Sequence, residues 1–190
     1  MVSKYKTPGQ QQFFSYRSGT GTAASPNVVA DGDHWRVAPQ LYYYWGSFGL
    51  FGEYVISDQG LRLDAGASTF RRVRNTGWEV SASYVLTGEE NSWNGFSPKR
   101  SFNPASGGWG AWEIAAQIGQ LEVDDTAFPL LASPAASASG ATSWGFGLNW
   151  YLNKNVKLNF DYEQTYFEGG TSDFLRNGEK VFMTRAQFSF

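Results

Sequence analysis

Cysteine is absent from the 190-residue chain, which excludes a disulfide framework and every thiolate metal site. Histidine occurs once, at His34, so neither a multi-histidine metal centre nor paired-histidine chemistry is available. An excess of one charge is lacking too. The net charge of -2 gives no long-range pull toward nucleic acid, so no nucleic-acid partner is expected. No apolar run approaches the roughly 18 residues that a transmembrane helix needs. The start, Met1-Val2-Ser3-Lys4-Tyr5-Lys6-Thr7-Pro8, is basic but has no apolar segment behind it, so a secretory signal is not visible. Phosphate-cradling loops, dinucleotide fingerprints and nucleophile elbows are missing as well, and no cofactor, metal or enzymatic activity is expected. Asp124-Asp125 and Glu89-Glu90 lack the spacing of a calcium loop and are expected to be solvated.

What is present is unusual for a soluble domain. Aromatic residues make up 17% of the chain, with eight Trp and ten Tyr, and Gly occurs 22 times. Mean hydropathy is nevertheless -0.38. A barrel strand alternates lipid-facing and lumen-facing residues, so an average conceals its apolar half.

Period-two alternation runs through most of the sequence. Trp144, Phe146, Leu148, Trp150 and Leu152 alternate with Ser143, Gly145, Gly147, Asn149 and Tyr151. Val156, Leu158, Phe160 and Tyr162 alternate with Lys157, Asn159 and Asp161, and Phe182, Thr184, Ala186, Phe188 and Phe190 with Met183, Arg185, Gln187 and Ser189. Similar segments lie at 35–45, 48–57, 78–86 and 112–118, and a first strand is expected at 11–17. Pro39 sits in the apolar register of the 35–45 segment and predicts a break there. About eight strands result, each near the length of a tilted membrane strand.

Connections alternate between two kinds. Those at 45–48 and 152–156 are short and rich in Gly and Asn, whereas 18–33, 58–72, 124–140 and 168–180 are long and polar. Outer-membrane barrels have short periplasmic turns and long extracellular loops. Counting back from a periplasmic Phe190 puts each on the matching side. The long 88–110 connection breaks the rule, because the count places it with the short turns.

The expected fold class is therefore all-β, an antiparallel transmembrane β-barrel. Trp45, Trp112, Trp144, Trp150 and Phe190 are candidate membrane anchors, together with Trp35 and Trp78, because rings with one wet end suit the headgroup level. The competing reading is a soluble β-sandwich whose apolar face packs into a core, such as a carbohydrate-binding module. The small and charged residues of the other face favour a wet lumen. A barrel enzyme would need a nucleophile beside a base, and His34 has no such partner motif.

Several segments resemble one family. They are Ser83-Tyr84-Val85-Leu86-Thr87-Gly88-Glu89, Phe102-Asn103-Pro104, Gly107-Gly108-Trp109-Gly110-Ala111-Trp112-Glu113, Gly147-Leu148-Asn149-Trp150-Tyr151-Leu152-Asn153 with Asn155-Val156-Lys157, and Tyr42-Tyr43-Tyr44 before Gly52-Glu53-Tyr54. Together they resemble the phosphate-selective porin O and P family, over nearly the whole chain. Members of that family are sixteen-stranded trimeric porins of the bacterial outer membrane with anion-selective pores. The resemblance implies that residues 1–190 are the C-terminal part of such a barrel, a homotrimer when complete, passing small anions such as phosphate or polyphosphate. It also implies that Lys157 belongs to a basic cluster near the periplasmic mouth, with Lys99 and Arg100 as looser candidates. Arg36 and Arg185 lie on polar strand faces and are expected to face the lumen. Glu53, Glu79, Glu113, Asp161 and Glu163 share that face and oppose anions unless paired. Arg71, Arg72 and Arg74 are expected at a solvated strand end.

Overall fold

The computed structural model describes residues 2–65, 69–169 and 177–189. It is all-β and antiparallel. The chain opens with a small hairpin, β1 (Lys4–Lys6) paired with β2 (Gln12–Ser15). A larger sheet follows: β3 (Val28–Val37), β4 (Gln40–Trp45), β5 (Phe48–Leu63), β6 (Arg71–Val85), β7 (Ala111–Glu122), β8 (Gly140–Tyr151), β9 (Val156–Glu168) and β10 (Glu179–Phe188). Its order is β10-β9-β8-β7-β6-β5-β3, with β4 also on β5. Each strand from β5 onward pairs with its sequence neighbour, the meander that short and long hairpin connections produce.

β3 and β4 are one strand line interrupted at Ala38-Pro39. β3 pairs with the far half of β5 and β4 with its near half. Proline has no N–H to give the ladder, yet its carbonyl still accepts from the Tyr54 N–H at 3.1 Å. The break expected at Pro39 is present and the sheet stays continuous across it. Among the described residues the sheet is open, with edges at β3/β4 and β10.

Two of the turns follow directly from sequence chemistry. Gly46 takes φ 56° between β4 and β5, a left-handed conformation that costs glycine little. Between β8 and β9, the Asn153 side chain accepts from the Asn155 and Val156 N–H groups at 2.8 and 3.0 Å, an Asx turn.

Register places the paired, described residues of the expected apolar sets on one face. One row across the strands reads Trp45, Phe48, Tyr84, Ile114, Leu148 and Phe160; the next reads Tyr43, Leu50, Ala82, Ala116, Phe146, Tyr162 and Phe182. Many of these side chains stand exposed, Phe146 at 62% and Phe182 at 66%. The sandwich reading requires a second sheet over this face, and the only other sheet among the described residues, the small hairpin, packs elsewhere.

The buried core lies on the opposite, inner face. Phe13, Phe14 and Tyr16 of the hairpin pack with Leu61 of β5, Val73 of β6 and Leu131 of the 123–139 connection. Phe14 meets Tyr16 edge-on at 4.8 Å and Phe128 at 5.9 Å. The expected first strand at 11–17 is thus corrected. It belongs to the inward-folded hairpin, because its aromatics find neighbours only by leaving the sheet. The loops expected at 18–33 and 58–72 are corrected as well, since β3, β5 and β6 run into them. There the outward positions turn polar (Asp58, Gly60, Arg62), and the apolar period that marks a strand is lost while pairing continues.

Candidate solute-contacting face

The inner face begins as the polar half of each alternation. At the short-turn end, β7, β8 and β9 present a linked network. The Asn149 amide donates to Glu113 at 2.9 Å, and the Tyr151 hydroxyl donates to the same carboxylate oxygen at 2.8 Å. The Lys157 ammonium donates to the Tyr151 hydroxyl at 3.0 Å and sits 4.6 Å from its ring centroid. The Asn159 amide closes the chain by donating to Asn149. Lys157 is therefore inward-facing and half-buried, but it is tied to a phenol and a carboxylate. Arg185 lies opposite Asn159 in register, diagonal to Lys157, and is exposed.

Glycine lets carboxylates lie flat at the next level. A Cβ on Gly147 would stand 2.5 Å from Asp161 Oδ1, and one on Gly145 2.9 Å from Glu163 Cγ. Glu53 and Glu79 are direct cross-strand partners, a like-charge pair that a dry core would reject. Gln117 donates to Glu163 at 2.8 Å. The middle of this face is an acidic band.

Toward the long-connection end the hairpin and the 123–139 segment fold over the sheet. Asn75 of β6 is the hub. Its amide donates to the Tyr5 and Tyr16 hydroxyls at 2.7 and 3.3 Å, and its oxygen accepts from Asp124 N–H at 3.1 Å. Burial pushes the Tyr16 phenol up to about 12, with the Asn75 bond opposing. Burial also pushes Asp124 up. Its bonds from the Thr126 hydroxyl and from the Arg74 and Thr126 N–H groups prevail, and its carboxyl sits below the usual range. A cavity of about 320 Å³ separates the hairpin from β5 and β6, with Tyr5, Arg36, Glu53 and Glu79 on its walls. Arg36 is thus inward and exposed, but it faces carboxylates at the opposite end of the sheet from Lys157 and Arg185. Lys6 lines a second gap of about 220 Å³ beside Glu79 and Gln117. Sequence reasoning missed it, because the hairpin's inward fold has no periodic signal.

The 88–110 connection explains its own length by folding back. The Asn91 N–H bonds the Gly46 carbonyl at 2.8 Å, and its amide bonds Ser83 at 2.8 Å on the inner face. Phe96 packs on Tyr151 at 4.4 Å and Trp93 meets Tyr42 at 4.4 Å. Glu89 anchors the segment, accepting from the Thr87 hydroxyl and, at 3.0 Å, from the Lys99 N–H. Burial pushes its carboxyl up, but these bonds outweigh burial and hold it below the ordinary value. The Lys99 ammonium bonds the Gly88 carbonyl, and Arg100 is exposed. Neither pairs with a carboxylate in an ion pair among the described residues.

The candidate anchors occupy the outer face. Trp112 and Trp150 stack at 4.8 Å and 11°, Phe102 meets Trp150 edge-on at 5.1 Å, and Trp45 is 76% exposed. Trp144 sits higher, 5.8 Å from Tyr162. Phe190 lies outside the described residues. The Arg71, Arg72 and Arg74 cluster is divided by the register, with Arg71 opposite Leu61 on the inward side. Arg72 and Arg74 occupy the outward register and bracket the buried Asp58, the latter at 3.1 Å, with Arg74 5.7 Å from the Trp35 centroid.

Comparison with known proteins agrees with this geometry. The sequence model of the family described as phosphate-selective porin O and P matches residues 6–190. A relative, Porin O of Pseudomonas aeruginosa, is 26% identical over 147 residues, which are 76% of this chain and 33% of that protein. The chain thus spans about one third of the length of the curated relative it matches.

Proposed function

The chain belongs to the phosphate-selective porin O and P family, and from that membership we propose that it forms part of the wall of a bacterial outer-membrane β-barrel through which small solutes, phosphate among them, diffuse passively. Family membership points to a channel and not to an enzyme. The observation that carries the reading is the two-sidedness of the sheet. One face holds exposed apolar rows and the other holds carboxylates, amides, amines and glycines. Exposed rows of this width belong against lipid.

The short turns then lie in the periplasm and the long connections outside. Trp45, Trp112 and Trp150 mark the periplasmic headgroup level. The edges β3/β4 and β10 are paired by further strands, because unpaired backbone in lipid costs several kcal/mol per group. The barrel is wider than this sheet and assembles as a homotrimer. Lys157, Arg185, Lys99 and Arg100 form a basic zone near the periplasmic mouth, and Arg36 stands nearer the outer mouth. Each offers a weak site from which an anion leaves again. The Glu53, Glu79 and Glu163 band lies between them and limits selectivity for anions.

Planar-bilayer recording of the barrel containing this chain tests the proposal. Reversal potentials in a salt gradient should report anion preference, reduced when Lys157 and Arg185 are both changed to Gln. Cation preference, unaltered by that double change, contradicts it. Steady anion-selective conductance from a monomer of these 190 residues contradicts the incomplete-wall reading.

A further inference from the structure

At the short-turn end, the folded-back 88–110 segment and the inner face enclose a cavity of about 300 Å³. We propose that this cavity is a binding subsite for a single pyranose sugar. Its volume lies at the low end of the about 300–1,000 Å³ typical of small-ligand pockets, which suits one ring and not an oligosaccharide.

The walls combine two kinds of group. Tyr44, Phe51, Trp93, Phe96 and Tyr151 supply aromatic surface. Tyr44 and Phe51 stand in the polar register of their strands, where a water-filled lumen has no use for a ring. Trp93 is 68% exposed although it lines the cavity, so its indole offers an open flat surface. The C–H face of a pyranose is apolar and planar enough to pack on such rings. Between the rings lie Ser81, Ser83 and Asn91, neutral hydroxyl and amide groups of the type that bonds sugar hydroxyls.

Charge separates this ligand from a bare anion. The cation on the wall, Lys157, bonds the Tyr151 hydroxyl at 3.0 Å, and that hydroxyl bonds Glu113 at 2.8 Å. The Glu113 carboxylate offsets the ammonium inside one network, so a doubly charged phosphate is held here only weakly and leaves again. Binding of a neutral sugar does not draw on that charge. The inference shares with the pore reading only the assignment of this face to the lumen. It does not depend on anion selectivity.

The test is saturation-transfer NMR on the barrel containing this chain, refolded in an amine-oxide detergent, which carries no sugar headgroup, with D-glucose as the probe. Saturable binding is expected. Trp93→Ala and Phe96→Ala, each with an unchanged far-ultraviolet β signal, should weaken it at least tenfold. Trp45→Ala, on the outer face, should leave it unchanged. The proposal is overturned by absence of saturable binding in the folded barrel, by full affinity in both cavity variants, or by displacement of glucose by equimolar inorganic phosphate. Reversal potentials are read separately, so loss of anion preference with glucose binding intact refutes the pore's selectivity and not the sugar site.

Discussion

Replacing Phe146 by Arg puts the two faces to a quantitative test. Phe146 is outward on β8 and 62% exposed to solvent when no membrane is present. It lies four residues before Trp150. At about 3.4 Å per residue and a strand tilt of about 40°, that is about 10 Å of depth from the Trp150 ring, close to the middle of an apolar band about 25 Å tall. An arginine at the midplane of a barrel's lipid face costs about 2–4 kcal/mol. Losing the ring contact with Trp144, at 5.6 Å, adds about 0.5–1.5 kcal/mol, which Phe146→Ala measures by itself. Were the face in water, an exposed position of this kind would tolerate arginine within about 0.5 kcal/mol. Urea unfolding in phospholipid vesicles, followed by tryptophan fluorescence, should therefore place Phe146→Arg about 2 kcal/mol or more below Phe146→Ala. Thr142→Arg, outward on the same strand but eight residues before Trp150 and so near the outer limit of the band, should cost about 0–1 kcal/mol. Equal stabilities of Phe146→Arg and Phe146→Ala in vesicles would refute the assignment of this face to lipid.

Other expectations follow from the inner face. Asn75→Ala removes three hydrogen bonds that hold the hairpin and the 123–139 segment, and at about 1 kcal/mol each it should lower stability by about 2–3 kcal/mol and expose the hairpin to protease; an unchanged digestion pattern would contradict the hub role. Gly147→Val drives a side chain into Asp161 and should cost about 1–3 kcal/mol in the same urea assay, whereas a neutral result would mean that Asp161 does not lie flat on the sheet. The depressed Glu89 carboxyl contributes stability that is fully present above the ordinary value of 4.5 and is lost as pH falls through the folded value below it. A spin label at Ser97 should accordingly become mobile in acid and, in Glu89→Gln, be mobile at every pH. A label that stays as immobile in Glu89→Gln as in the parent chain would contradict the anchoring.

The outer face was legible in the residues because lipid-facing strands repeat an apolar group every second position. Alternation alone puts Trp144 to Trp150 and Val156 to Tyr162 on one surface, and register agrees. Legibility ended where the strands run past the apolar rows. Asp58, Gly60 and Arg62 continue β5, but their polarity imitates a loop. The hairpin was misassigned for a related reason: Phe13 and Phe14 are adjacent, both buried, and packed inward through tertiary contacts that no local period encodes. Lys157 was placed correctly on the polar face, but its tether to Tyr151 and Glu113 depends on cross-strand register. Phe51, Trp93 and Phe96 went unnoticed because single aromatics in polar registers and connections carry no pattern. The one clue was the excessive length of the 88–110 connection on the side of short turns.

The central claim, one face in lipid and the other in a wet lumen, is tested most directly by scanning single cysteines along β8 and β9. The chain has no native cysteine, so each introduced thiol reports one position. Carry the scan out on the barrel embedded in a bilayer, with a membrane-impermeant thiol reagent and, on nitroxide-labelled thiols, oxygen as the lipid-soluble probe. The account predicts strict alternation: positions 143, 151, 157, 159 and 161 react with the aqueous reagent, while 146, 148, 158, 160 and 162 are reached from lipid. Uniform aqueous reactivity of both sets, or the reversed pattern, would contradict it.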